Sequence, residues 1–353
     1  MIAFYYIRSM QIDEFYMQRC IDLARRGEGS VAPNPRVGAV IVLDNKIISE
    51  GFHQLFGHEH AEVNAVNAVT DGSLLKNATI YVSLEPCSHV GKTPPCADLL
   101  VKCGFKRVVI GSIDSYSEVA GKGVSKLKDA GIEVTVGVLE KECRELNKRF
   151  FTFHEKKRPY VILKWAQTKD GFIDKHRTDT EKVSNWISAP ETQTLVHKWR
   201  SQEQTILVGR NTVENDNPVL TVRAISGNNP VRIVLDSHLR LPMSSLVFNN
   251  ESKTICINLV KSEKVGNIEW LKVPNMNATN ILEALYNSNI QSVFVEGGSA
   301  THQSFIDSNL WDEIRVIVGD SFFNEGLKAP ILAKIPASSF NFSTDQIYIY
   351  KNV

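Results

Sequence analysis

Twice along its length this chain alternates short runs of β-branched and apolar residues with helix-length segments, a pattern that restricts it to a layered α/β architecture. In the first half, runs at 37–43 and 46–51 flank Asp44-Asn45, the turn chemistry of a hairpin. Further strands are expected at 79–83, 107–111 and 133–136, with helices at 61–69 and 124–130. A first helix, capped by Asp13 and running to residue 26, places Cys20, Ile21, Leu23 and Phe15 mostly on one face. In the second half, buried strands are expected at 161–166, 205–209, 231–236, 254–259 and 292–296. Helices fit 190–200, with Pro190 in the first turn, and 279–287. The polar segment HEKKRP follows Phe150, Phe151 and Phe153 and separates the halves, which gives domains of 1–154 and 155–353.

Composition excludes several classes. Forty basic against thirty-nine acidic side chains leave a net charge of +1, so no field steers the chain to nucleic acid or an anionic membrane. No apolar run approaches the roughly 18 residues of a membrane span, and the opening MIAFYYIRSM, broken by Arg8, lacks a cleavage-site pattern. Six cysteines in 353 residues are too few for a disulfide scaffold and point to a reducing compartment, the cytoplasm.

Three residues carry metal chemistry. His60-Ala61-Glu62 opens a helix, and Pro86-Cys87 followed by Cys96 lies after a strand. One imidazole and two thiolates suit a tetrahedral catalytic zinc with its fourth position left for water, whose acidity the metal raises. Glu62, two residues past the ligand, is placed to carry protons to a leaving ammonia, the logic of the base deaminases. Their usual pattern has two residues between the cysteines; here there are eight. A structural zinc would take a fourth protein ligand, which His58 or His89 supplies in that alternative, and buried cysteines without a metal are the plainer reading. Cys20, Cys103, Cys143 and Cys256 read as small hydrophobes.

In the second half, the strand ending in Glu296-Gly297-Gly298 brings bare backbone to a helix start near Ser299. Such a turn lets a phosphate approach amide donors and the positive helix end. Most Gly-Gly pairs are plain turns, and Trp186 and Trp199 fit a core as well as a site.

The segments Asn34-Pro-Arg-Val-Gly-Ala-Val-Ile-Val, Gly51-Phe-His, His60-Ala-Glu-Val and Leu84-Glu-Pro-Cys-Ser-His-Val-Gly-Lys-Thr-Pro-Pro-Cys resemble the deaminase half of the bifunctional riboflavin biosynthesis deaminase/reductases, within the cytidine-deaminase-like superfamily. Lys164-Trp-Ala-Gln-Thr-Lys-Asp-Gly, Ser184-Asn-Trp-Ile-Ser, Val208-Gly-Arg-Asn-Thr-Val-Glu-Asn-Asp-Asn-Pro-Val-Leu-Thr-Val-Arg and Ser292-Val-Phe-Val-Glu-Gly-Gly resemble the reductase half, a dihydrofolate-reductase-like α/β fold.

The resemblance implies zinc-dependent deamination of 2,5-diamino-6-ribosylamino-4(3H)-pyrimidinone 5′-phosphate, then NADPH-dependent reduction of the ribosyl to the ribityl side chain. It implies that Asn34, His53, His89 and Lys92 contact the pyrimidine or its attached groups. In the reductase it assigns Ala166, Trp186, Thr212, Asp216, Gly298, Ser299, Ala300 and Thr301 to the nucleotide, and Ser184, Arg200, Leu220, Arg223 and Glu296 to the substrate. Lys164 and Glu296 are placed beside the reacting sugar carbon. Assembly into homo-oligomers is implied as well.

The chain departs from the family's usual sequence at SYSE before Val119, at Thr168-Lys169 where Ser-Leu is usual, and in a longer, charged 172–183. A deaminase whose second domain does not reduce, and a binding protein that keeps the fold, are the alternatives. Arg210 is a candidate partner for the 2′-phosphate of NADPH.

Overall fold

The computed structural model describes residues 2–88, 94–116, 120–177 and 185–352, with side chains from residue 11 onward. His89, Lys92 and Ser184 lie outside the described residues. The chain folds into two compact units, Met1–Lys156 and Lys157–Val353. Among the described residues no helix is long and apolar enough to cross a membrane.

The first unit runs α1 (Ile2–Arg25), β1 (Gly38–Leu43), β2 (Lys46–Phe52), α2 (Ala61–Asn67), β3 (Thr79–Leu84), α3 (Cys96–Cys103), β4 (Arg107–Ser112), α4 (Lys122–Asp129), β5 (Glu133–Val136), α5 (Glu140–Leu146) and α6 (Lys148–Lys156). Its sheet has the order β2-β1-β3-β4-β5, with β1 antiparallel to β2 and β3, and β3, β4 and β5 parallel. Asp44 and Asn45 both take positive φ, 49° and 60°, the backbone that a tight hairpin turn demands. Alternation along β1 splits the core. Ala39 and Ile41 pack with Ala61, Leu100 and Leu127 on one face, while Val40 and Val42 pack with Met17, Cys20 and Cys143 on the other. Helices therefore cover both faces. Because α6 continues to Lys156, the division between the units falls after that residue rather than after 154.

Asp13 does not cap α1, which begins at Ile2. Its carboxylate instead accepts from Arg107 Nη1 and Nη2 at 2.9 and 2.7 Å and from the Tyr81 hydroxyl at 2.8 Å, tying α1 to β3 and β4. Phe15, expected on the apolar face, is 67 % exposed.

The second unit runs β6 (Tyr160–Gln167), β7 (Phe172–Asp174), α7 (Pro190–Ser201), β8 (Thr205–Gly209), α8 (Arg210–Asp216), β9 (Val231–Leu235), β10 (Thr254–Asn258), β11 (Glu263–Val265), β12 (Ile268–Lys272), α9 (Ala278–Asn287), β13 (Ser292–Val295), α10 (Ser299–Asp307), β14 (Glu313–Val318), β15 (Leu327–Lys328), β16 (Ser338–Phe342) and β17 (Asp345–Lys351). Ten strands form one sheet, β11-β12-β10-β9-β8-β13-β6-β14-β17-β16, and β15 pairs with β7. From β12 to β14 the neighbours are parallel. Val161 and Leu163 of β6 meet Ile281 and Leu285 of α9 on one face, whereas Ile162 meets Val196 and Trp199 of α7 on the other. Both halves are thus α/β layers, as the alternation predicts. The carboxyl ends of β8, β13 and β6, adjacent and parallel, form one row, the place where such sheets bind ligands.

Asp13→Ala should cost about 3 kcal/mol, because it removes the buried carboxylate that pairs with Arg107 and leaves the Tyr81 hydroxyl without that acceptor. A lost helix cap would cost only about 1 kcal/mol. Urea unfolding of the variant distinguishes the two, and a loss of 1 kcal/mol or less contradicts the anchoring role.

Candidate functional site

In the first unit the site is built where two helices begin. His60 precedes the first turn of α2, Cys96 opens α3, and Cys87 lies three residues past β3. His60 Nδ1 is 3.6 Å from Cys87 Sγ and 3.4 Å from Cys96 Sγ, and the three donor atoms lie within 4.8 Å of one another. Donors around a tetrahedral zinc are spaced by about 3.5 Å between nitrogen and sulfur, so the residues fit that ion. The Cys96 N–H donates to Cys87 Sγ at 3.3 Å, a contact that favours a thiolate. His58 does not join the group among the described residues. Glu62 lies beside the donors without belonging to their set, in the first turn of α2 and 3 % exposed, where its carboxyl meets Cys96. Burial and the neighbouring Cys87 push its carboxyl up to about 7, a shift that a bound cation opposes.

Asn34 and His53 meet beside this group. The His53 and His60 rings stack edge-on with centroids 5.3 Å apart. His53 Nδ1 faces the Glu59 carbonyl at 3.0 Å and therefore donates, which leaves Nε2 to accept from Asn34 Nδ2 at 3.2 Å. Burial lowers the His53 pKa and keeps the ring neutral.

Glu85, which the sequence reading overlooks, holds the cysteine loop. Its buried carboxylate accepts from the backbone N–H groups of Asp114, Gly121 and Val124 at 3.2, 2.9 and 3.1 Å. Gly123 has no room for a side chain, since a Cβ there would lie 2.2 Å from the Pro86 carbonyl. A charged residue directly after the apolar strand Thr79–Leu84 is the signal that could have found it.

In the second unit, β6 and β13 are registered Leu163 to Val295, so Lys164 and Glu296 extend side by side beyond that pair. Lys164 Nζ is 3.7 Å from Glu296 Oε2, and Arg200 of α7 grips the same carboxylate in a fork, Nε to Oε1 at 2.6 Å and Nη2 to Oε2 at 2.9 Å. Burial alone would raise the Glu296 carboxyl, but Arg200 and Lys164 outweigh it and hold it at about 2. Burial lowers the Lys164 ammonium below its ordinary value, against the pull of Glu296.

The glycine turn is built as a cradle. Gly298, at φ 74°, precedes α10, and a Cβ on Gly297 would lie 2.7 Å from Val208 Cα. A Cβ on Gly209 would lie 2.9 Å from Thr301 Oγ1, and one on Gly298 within 3.6 Å of Thr212 Oγ1. Gly209, Thr212, Gly298 and Thr301 are therefore together, with the free amides of Ser299, Ala300 and Thr301 at a helix start. This arrangement fits the phosphates of a dinucleotide.

The remaining candidates are placed less uniformly. Ala166 lies near the end of β6 and packs beside Ile162. Trp186 is 67 % exposed, whereas Trp199 is core, packed with Phe294 and Ile317. Asp216 pairs with Arg177 at 2.7 Å. The Leu220 side chain turns into the core with Val208 and Val234, so only its main chain, at φ 58°, is left to offer a ligand. Arg223 is exposed and its N–H donates to His197 Nδ1 at 2.9 Å. Arg210 pairs with Glu214 on its own helix at 2.8 Å. In the Thr168-Lys169-Asp170-Gly171 turn, the Thr168 hydroxyl accepts from the Phe172 N–H at 3.0 Å, so the threonine supplies the hydroxyl a serine would.

The charges around this site set a pH dependence. Burial first, then Arg200 and Arg223, hold His197 at about 4, against 6.5 when unfolded. The unfolded chain therefore binds more protons between these values, and stability falls as pH drops from 6.5 towards 4. The thermal midpoint of the second unit should fall by several degrees between pH 7 and 4.5. His197→Asn, which cannot titrate, should fall less; an identical slope removes His197 as a cause.

Comparison with known proteins places both units in known families. Residues 10–112 match the cytidine and deoxycytidylate deaminase zinc-binding region, and residues 159–324 match the RibD C-terminal domain. The chain is 43 % identical over 324 residues to the riboflavin biosynthesis protein RibD of Aquifex aeolicus (strain VF5), covering 90 % of this chain and 89 % of that protein. Its structure matches a diaminohydroxyphosphoribosylaminopyrimidine deaminase/5-amino-6-(5-phosphoribosylamino)uracil reductase of Thermotoga maritima with a TM-score of 0.86 and 37 % identity, over 98 % of this chain and 100 % of that one. Acinetobacter baumannii RibD matches with a TM-score of 0.87 and 31 % identity, over 97 % and 99 % of the two chains. With identity of this order over nearly its whole length, the chain belongs to the RibD family of bifunctional riboflavin biosynthesis deaminase/reductases.

Proposed function

We propose that this chain deaminates 2,5-diamino-6-ribosylamino-4(3H)-pyrimidinone 5′-phosphate to 5-amino-6-(5-phosphoribosylamino)uracil in its first unit, Met1–Lys156, and reduces the ribosyl group of that product in its second, Lys157–Val353. The observation that carries the reading is that one chain holds both constellations: the His60, Cys87 and Cys96 donors beside Glu62, and Lys164 with Glu296 beside a glycine cradle.

In the deamination, zinc held by His60, Cys87 and Cys96 supplies the Lewis acidity that makes hydrolytic water available at neutral pH. Glu62 takes a proton from the attacking water and delivers it to the exocyclic nitrogen at C2, which leaves as ammonia. Asn34 and His53 present an amide and a neutral imidazole to the pyrimidine, with His89 and Lys92 contributing from the loop between the cysteines.

In the reduction, NADPH supplies the hydride. Ala166, Trp186, Thr212, Asp216 and the turn of Gly298 to Thr301 hold the nucleotide. Arg200 fixes Glu296 against the sugar, and Lys164 gives its proton to the ring oxygen as the C1′–O bond opens, a transfer that its lowered pKa favours. Arg223, whose backbone N–H is held by His197, offers its guanidinium to the substrate phosphate, and Ser184 and the Leu220 main chain are the further substrate contacts of this reading. The same reading places the enzyme in the cytoplasm, where its six free cysteines stay reduced, as a homo-oligomer whose contacts would cover exposed Phe322, Ile331 and Ile335.

Separating the two activities tests the assignment. Glu62→Ala should retain zinc, lose ammonia release by about 100-fold or more, and still oxidise NADPH with predeaminated substrate. Lys164→Met should do the reverse. Zinc loss in Glu62→Ala, or ammonia release at the wild-type rate, removes the proton-carrying role; undiminished NADPH oxidation in Lys164→Met removes the proton-donor role.

A further inference from the structure

We infer that Asn147 is a positioning residue of the deaminase site, acting through Arg36 and Val37 to set Asn34 against His53. The inference rests on the deaminase reading above.

Asn34 belongs to the irregular segment between α1 and β1, whose backbone polar groups need partners outside a regular ladder. One side chain does that work at Arg36. Asn147 Oδ1 accepts from the Arg36 N–H at 2.8 Å, and Asn147 Nδ2 donates to the Arg36 carbonyl at 2.8 Å. A carboxamide offers a donor and an acceptor side by side and so imitates a neighbouring strand, which a carboxylate or hydroxyl of this size does not. Asn147 is 5 % exposed, at the junction of α5 and α6, and the Arg36 guanidinium returns to the Leu146 carbonyl at the same junction.

The next residue extends the clamp. The Val37 carbonyl accepts from the His53 N–H at 2.9 Å, while its side chain packs with Phe150 and Phe151 of α6 and with Leu84, which immediately precedes Glu85-Pro86-Cys87. The α5–α6 segment therefore holds Arg36, 111 positions away, and packs on Val37, the residues two and three past Asn34, and Val37 in turn bonds the His53 backbone. Asn147 also lies beyond residues 10–112, the part that matches the zinc-binding deaminase region, so the clamp is built from sequence outside that match.

The full-length enzyme tests this with the diaminopyrimidine ribosyl phosphate as substrate. Asn147→Ala should raise the KM for ammonia release about tenfold and leave kcat within about twofold. Zinc content and NADPH oxidation with predeaminated substrate should remain at wild-type levels. In the Asn34→Ala background, adding Asn147→Ala should raise KM no further, since the clamp then has nothing to position. An unchanged KM, a loss of zinc at unchanged KM, or effects that multiply in the double variant overturns the proposal. If Asn147→Ala does not accumulate as folded protein, the isosteric Asn147→Asp, which keeps the acceptor and loses the donor, is held to the same criteria. Wild-type enzyme that releases no ammonia overturns the deaminase reading and this inference together, an outcome distinct from a working enzyme indifferent to Asn147.

Discussion

Burying a carboxylate at the end of a central strand is costly unless donors meet it, and both units are organised around one such glutamate. Glu85 follows β3 and is met by three backbone N–H groups, which locks the loop that carries Cys87. Glu296 follows β13 and is met by the Arg200 fork and the Lys164 ammonium. Neutral amides suffice for the first, whose task is to hold a loop. The second faces two full charges. The same cost is therefore met by backbone amides in one unit and by charged side chains in the other.

The two chemistries place different demands on the chain. Three donors within 4.8 Å require helix starts to converge, and His60 immediately precedes α2 while Cys96 opens α3. Dinucleotide binding requires bare backbone at the row of strand ends. Gly209, Gly297 and Gly298 provide it, since a Cβ at the first two would collide with Thr301 or Val208. Neither arrangement depends on long-range electrostatics, in keeping with a net charge of +1. The specificity is local, held in hydrogen bonds and close packing.

Much of this was legible in the sequence because the signals are short-range. The apolar runs, the Asp44-Asn45 hairpin and the Pro190 helix start each need only neighbouring residues, and β5, β8 and α7 lie where those signals put them. The metal donors were legible because histidine and cysteine carry their chemistry in their identity. What escaped depends on distant partners. Asp13 looks like a cap but serves Arg107 and Tyr81, 94 and 68 positions away. In β14 the alternating Glu313 and Arg315 are both buried as an ion pair, so polar and apolar positions do not mark outside and inside. β16 is exposed throughout and has no buried face to read. Glu85 and Asn147 are ordinary polar residues until the fold shows which backbone groups they complete.

The central claim is that one chain performs deamination and then reduction on the same phosphorylated pyrimidine. The most direct measurement follows ammonia release and NADPH oxidation together on purified enzyme given the diaminopyrimidine ribosyl phosphate, with zinc content determined on the same sample. About one zinc per chain is expected, with NADPH consumed only after ammonia appears. NADPH oxidation that precedes ammonia, or ammonia release with no NADPH consumed, would contradict it.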